Sequence, residues 1–183
     1  MIIKLRNVRL SFPHIFEPQV DAKTGNSSYN AAFILMAGDP QIKMVQEAIK
    51  EAAKEKWKDR AAAMLKTLAL KDALCLHDGD TKVKYPEFHG NMFVSARSQT
   101  RPRVLDRNKT PLTAKDGRPY AGCYVNVALD IWAQDNEYGQ RVNAGLGGVQ
   151  FFKDGASFSG AYVATDDDFE EFGDDDDADA DFL

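Results

Sequence analysis

The sequence predicts a β-rich domain of the α+β class, interrupted by one helical region and followed by an acidic tail, and three observations carry that reading. Residues 121–133 alternate strictly: Cys123, Val125, Val127, Leu129 and Ile131 fall on one side, and Tyr124, Asn126, Asp130 and Trp132 on the other. That is the signature of a strand with one buried face. After Asp39, the apolar residues Ile42, Val45, Ile49 and Ala52 instead recur every three or four positions, which is helical spacing. The last nineteen residues, 165–183, hold eleven acids and no base.

Taken in order, residues 2–16 read as an extended segment in which Ile3, Leu5, Val8, Leu10 and Phe12 keep period two apart from one slip near Asn7, a candidate bulge. Residues 21–28 are a turn signal rich in Asp, Gly, Asn and Ser, and 29–36 form a second apolar strand, so a hairpin is the simplest connection. Asp39 followed by Pro40 opens a helix as cap and first-turn residue, and Trp57 ends its apolar face. A second helix over 60–70 carries Met64, Leu65 and Leu68, and the lysines on both helices are spaced for Glu–Lys pairing on a solvated face. From Gly79 the chain returns to β character, with strands at 91–98, 121–133 and 141–152. Gly145, Gly147 and Gly148 are followed by Val149, Phe151 and Phe152 rather than by a helix, so they mark a bulge or sharp bend and not a phosphate-binding turn.

At 183 residues, 44% hydrophobic and 10% aromatic, the chain has enough apolar surface to order one domain, expected over 1–163, with a disordered acidic tail over 164–183. The net charge of −5 conceals a split, because removing the tail leaves 17 acids against 23 bases in residues 1–164, a body of +6 attached to a tail of −11. Such asymmetry suggests a nucleic-acid-binding body with an acidic appendage. Cys75 and Cys123 have no disulfide or zinc spacing, and no apolar run approaches a signal peptide or membrane span, so free thiols and a cytoplasmic location are expected.

The chemistry concentrates in two stretches. Residues 93–109 combine Phe93 with Arg97, Arg101, Arg103, Arg107 and Lys109 against one acid, and period two places Phe93, Ser95 and Arg97 on one face. Just upstream, Lys82, Lys84, Tyr85 and Phe88 repeat the mixture. Rings stack on bases for about 1–3 kcal/mol each and cations neutralise phosphates, so interleaving the two suits single-stranded DNA. Tyr124 and Trp132, on the second face of their strand, need a covering element or a ligand. No catalytic residue, cofactor or metal is expected: neither His77 with Asp78 nor Cys75, His77 and His89 has a standard spacing. In the tail, Asp174, Asp175, Asp176, Asp177, Asp179 and Asp181 lead to Phe182 and Leu183. Acids that mimic phosphates and end in two apolar residues suit both competition with DNA for the body and docking to a partner.

This basic β-rich body with an aspartate-rich tail ending in Phe182 and Leu183, together with the opening Val8, Arg9, Leu10, Ser11 and Phe12 and the segment 148–155, resembles the single-stranded-DNA-binding proteins of bacteriophages over the whole chain. The resemblance implies an OB-fold, a small five-stranded barrel whose exposed face binds a strand by stacking and cationic contacts. It further implies roles in replication, recombination and repair, a tail that contacts polymerase or helicase-primase proteins, a host-cell cytoplasmic setting and room for a homodimer. An annealing protein of recombination, or an acidic DNA mimic that inhibits a host enzyme, are the alternatives.

Overall fold

The computed structural model describes residues 1–159, 164 and 166–172. In it the alternating segments become seven strands: β1 (Ile2–Val20), β2 (Ser27–Leu35), β3 (Leu76–Asp78), β4 (Met92–Ser98), β5 (Arg103–Leu105), β6 (Tyr124–Asn136) and β7 (Gly139–Lys153). Helices α1 (Pro40–Trp57) and α2 (Ala61–Leu70) lie between β2 and β3. Hydrogen bonding follows the order β3-β4-β2-β1-β6-β7-β5, and a parallel contact between Arg97 of β4 and Gly145 of β7 closes β1, β2, β4, β6 and β7 into a five-stranded barrel. This is the OB-fold barrel, with its helical region inserted after the second barrel strand. The short β3 and β5 extend it, and three residues each are too few to show a period in the sequence.

β1 can serve both neighbours because it is long and bent. It pairs with β2 along one edge and β6 along the other, and its register with β6 shifts between Leu5 and Val8. Asn7 sits in that bulge at φ 53°, its N–H donating to the Asn126 side chain at 3.0 Å. A second departure was not anticipated. Phe12 also has positive φ, 47°, which breaks the alternation and leaves its ring 41% exposed rather than in the core with Leu10. The glycines of β7 do mark a bulge, since Ala128 pairs with Gly148 and Leu129 with Leu146, leaving Gly147 over.

Inside the barrel, Leu5, Leu10, Ile15, Phe33, Leu35, Val94, Leu129 and Ile131 are almost completely buried. Each such side chain contributes about 1.5–3 kcal/mol by leaving water, the main favourable term for the fold. α1 starts as expected: the Asp39 carboxylate accepts from the Gln41 N–H at 2.8 Å, with Pro40 at the first position. It lays Val45, Ala48, Ile49, Ala52, Ala53 and Trp57 against the barrel, chiefly on β6. The Trp57 indole N–H donates to the Asp135 carboxylate at 2.8 Å, tying the end of α1 to the β6–β7 hairpin. No helix among the described residues is long and apolar enough to cross a membrane.

Both thiols are in the interior, where burial pushes Cys75 and Cys123 up to about 12. A thiol held protonated and out of solvent is inert. At pH 8 the native protein should therefore leave a thiol-specific chromogenic disulfide unreacted, and denaturant should release two equivalents. Replacement of Trp57 by Phe keeps an aromatic ring but removes the indole donor, leaving the exposed Asp135 carboxylate to Gln140 Nε2 and water. The expected loss is about 0.5–1.5 kcal/mol, read as a lower urea midpoint at unchanged slope.

Candidate nucleic-acid interface

Alternation sends every second side chain of the barrel outward, and registry decides which of them meet. On β2 and β4 the outward residues are Asn30, Ala32 and Ile34 against Arg97, Ser95 and Phe93, paired in that order. Small residues at Ala32 and Ser95 leave a depression there. The β1–β2 hairpin forms one wall, the segment 79–91 another, and Arg141 to Ala144 of β7 a third, enclosing a groove of about 1040 Å³. Lys82, Arg97 and Arg141 bring positive charge to it against the one carboxylate of Asp21, and Asn30, Ser95 and Asn143 bring neutral hydrogen-bonding groups.

The segment 79–91 is closed at its base by hydrogen bonds between its two ends. Gly79 donates to the Asn91 carbonyl at 2.8 Å, and the Asp80 carboxylate accepts from the Gly90 N–H at 2.8 Å. A side chain at Gly79 would come within 1.9 Å of the Phe88 carbonyl oxygen, so only glycine allows this approach. The result drives Phe88 under the loop, edge-on to Phe93 with ring centroids 4.9 Å apart. Phe88 and Phe93 are 0% and 4% exposed, so they support the groove from beneath and offer little face to a base. The open rings are Phe12 and Tyr85, which meet edge to face at 4.8 Å and are 41% and 38% exposed. Lys82 reaches back over Phe93, its Nζ 5.6 Å from the ring centroid.

The structure thus gathers Lys82, Phe88, Phe93 and Arg97 around one groove and puts Tyr85 at its rim. Lys84 is exposed on the same segment. Trp132 stands outside the groove on the outer face of β6, exposed and cross-strand from the groove residue Asn143. Arg101 is exposed and outside the groove lining, and Arg103 and Arg107 are carried away from it along β7. Arg103 belongs to β5, beside Gly148, rather than to a loop. Gly145, Gly147 and Gly148 leave this outer stretch of β7 without side chains, and Arg103 borders it. Arg107 lies 5.9 Å from the Phe152 ring at the far end. The one acid in the basic segment, Asp106, is bonded to Arg118, which holds its carboxyl below the usual carboxylate range. Its charge is matched locally by that guanidinium.

Tyr124 belongs to a second cluster. Arg9 and Lys153 approach its ring at 5.7 and 4.7 Å, and Arg9 also covers Phe158 at 4.3 Å while donating to the Gly122 and Ala156 carbonyls. Phe158 packs on the Ala32, Ile34, Phe88 and Phe93 cluster beneath the groove. Tyr120 anchors the start of this crossing segment, donating to the Asp154 carboxylate at 2.7 Å; burial first, and then that bond, push its hydroxyl up to about 12. The tail residues Asp174, Asp175, Asp176, Asp177, Asp179, Asp181, Phe182 and Leu183 lie outside the described residues.

Groove residues that the sequence did not mark for binding include Phe12, Asn30, His77, Arg141 and Asn143. Arg141 and Asn143 carried a usable signal, because they alternate with the inward Val142 and Ala144. Phe12 carried none, since its outward turn depends on a backbone angle. Among the described residues, the buried Nε of Arg141 has no hydrogen-bond partner.

Comparison with known proteins gives this architecture a context. The family model described as the ssDNA-binding protein of Enterobacter phage Enc34 matches residues 1–183. The protein p50 of Acyrthosiphon pisum secondary endosymbiont phage 1 is 42% identical over 174 residues, 93% of this chain and 94% of that protein. Among solved structures, the single-stranded DNA-binding protein from bacteriophage Enc34 in complex with ssDNA superposes with a TM-score of 0.73 at 28% identity, covering 86% of this chain and 89% of that one. The single-stranded DNA-binding protein gp2.5 of bacteriophage T7 shares the fold, with a TM-score of 0.60 at 15% identity over 90% of this chain and 98% of that one. A match along the whole sequence, on a closed barrel with a cationic outer groove, makes this chain a member of the Enc34 phage single-stranded-DNA-binding protein family.

Proposed function

We propose that this protein binds single-stranded DNA with little sequence specificity, protecting and organising it during phage DNA replication, recombination and repair in the host cytoplasm, and that it does so without catalysis. The groove in which Lys82, Arg97 and Arg141 surround a small-residue floor, with the open rings of Phe12 and Tyr85 at hand, is the observation that carries the reading. A flexible strand needs two things from a protein, cations at phosphate spacing and flat apolar surfaces for its bases. A ring accepts any base, which is why specificity is weak. The Enc34 protein solved with ssDNA supports the ligand class.

In this reading the strand leaves the groove past Arg97 and runs over the glycine surface of β7, where backbone rather than side chains faces it. Arg101, Arg103 and Arg107 flank that path, Tyr124 and Lys153 receive its end, and Lys84 and Trp132 stand at the margins. The body of residues 1–163 is then the DNA-binding unit. The acids of 164–183 compete with phosphates for it and, through Phe182 and Leu183, recruit replication proteins such as polymerase or helicase-primase; the intact particle can be a homodimer.

Fluorescence anisotropy with a labelled oligo-dT and a duplex, across a salt series, tests this. Tight, salt-sensitive binding of the single strand is expected, strengthened in a version ending at Ala164; no binding by either version would sink the reading. Arg97→Ala and Arg141→Ala should each weaken oligo-dT binding by roughly three- to tenfold, and about equally for other sequences, with a salt slope shallower by about 0.7 for each phosphate no longer neutralised.

A further inference from the structure

His77 is the groove residue whose role is least explained by packing. On β3, paired with Phe93 of β4, its ring stacks on that phenylalanine with centroids 4.9 Å apart and planes 23° apart. It lines the same groove as Lys82, Arg97 and Arg141, with 13% of its side chain exposed. Its Nδ1 lies 2.7 Å from the carboxylate of Asp72, a residue in the turn after α2 that is itself 81% exposed. That is the ring's hydrogen bond to the protein among the described residues, so Nε2 is left for something else.

The chemistry of that nitrogen follows from its partner. A carboxylate only accepts, so Nδ1 carries a proton and Asp72 fixes the tautomer. In neutral imidazole Nε2 is then a lone pair, and a phosphate, which offers only acceptors, gains nothing from it. In imidazolium Nε2 is an N–H with charge behind it, and a phosphate oxygen is a strong partner. The same ring therefore makes one phosphate contact or none according to its protonation.

The two events are coupled by linkage. Asp72 faces the ring from the α2–β3 turn and Asp78 follows it on β3, while Asp21 of the β1–β2 turn, Lys82 of segment 79–91, Arg97 of β4 and Arg141 of β7 are the other charged groups of the groove. A phosphate contact that only imidazolium can make favours that form in the bound state, so strand binding takes up a proton. We propose that His77, oriented by Asp72, contacts the bound strand through Nε2 and adds a phosphate contact as pH falls through the histidine range. This rests on the strand-binding reading above and assigns that site a pH-responsive residue.

The chain has three histidines. The Nε2 of His89 is occupied by the Lys82 carbonyl at 3.0 Å, and His14 sits on β1 opposite Asn30, outside the groove lining. The test uses the full chain and labelled oligo-dT, whose base does not titrate in this range, in salt series at pH 8 and pH 6. Wild-type protein should bind at least about threefold tighter at pH 6 and show a salt slope steeper by about 0.7, the value for one added single-strand phosphate contact. His77→Gln should lose both changes, while His14→Gln and His89→Gln keep them. A wild type with the same slope at both pH values, or a His77→Gln protein with an undiminished pH effect, overturns the proposal while leaving strand binding intact. Absence of binding at both pH values overturns strand binding and this proposal together. Should His77→Gln fail to fold, NMR titration of the His77 ring in wild-type protein gives the same decision. Saturating oligo-dT should move its midpoint upward, and coincident curves with and without DNA overturn it.

Discussion

The parallel contact between Arg97 of β4 and Gly145 of β7 is the constraint on which the rest of the structure depends. It turns an open, twisted sheet into a barrel, and a barrel has one inside. Once the strands close, inward positions must be apolar and outward positions are free for function. The same contact brings Arg97 and the β7 wall of Arg141 and Asn143 to one groove, although they are more than forty residues apart in sequence. Gly145 suits this position, since it gives no side chain to the surface between the neighbouring strands.

Electrostatics in this protein are organised by segregation rather than by pairing. The few ion pairs of the described residues include Asp106 with Arg118, which removes the one negative charge from an otherwise basic stretch. The hydrogen-bonded His77 and Asp72 sit at the groove edge. Lys82, Arg97 and Arg141 are left without carboxylate partners among the described residues, and eleven acids are collected in the final nineteen residues. An excess of positive charge in a groove, here three cations against Asp21, costs stability, and a polyanionic ligand or segment recovers it. The charge pattern of the chain and the shape of the groove therefore point to the same ligand class.

Aromatic residues divide between two duties that sequence could not separate. Phe88 and Phe93 stiffen the groove from below, and Phe158 reaches the same cluster from the C-terminal side under the Arg9 guanidinium. Phe12 and Tyr85 remain open. Burying one pair of rings fixes the segment that presents the other, because Gly79 lets the backbone close on Phe88 and so holds Tyr85 against Phe12. Packing and recognition are neighbours in this site.

The sequence by itself determined the local elements and the charge split. Strict alternation over Cys123 to Ile131 specified β6 and its two faces, and Asp39 with Pro40 specified the start of α1. The bulges at Asn7 and Gly147 were legible as breaks in pattern. These features depend on near neighbours, and near neighbours are what a linear pattern records. Only the tertiary structure decided which outward residues share a groove. Registry between distant strands joined Lys82, Arg97 and Arg141 and sent Arg101, Arg103, Arg107 and Tyr124 elsewhere, while a positive φ at Phe12 turned a ring outward that the alternation had assigned to the core. β3, which holds His77 over Phe93, exists only because β4 is there to pair with it. Such choices are made by closure and by packing at long range, and three residues of sequence carry no trace of them.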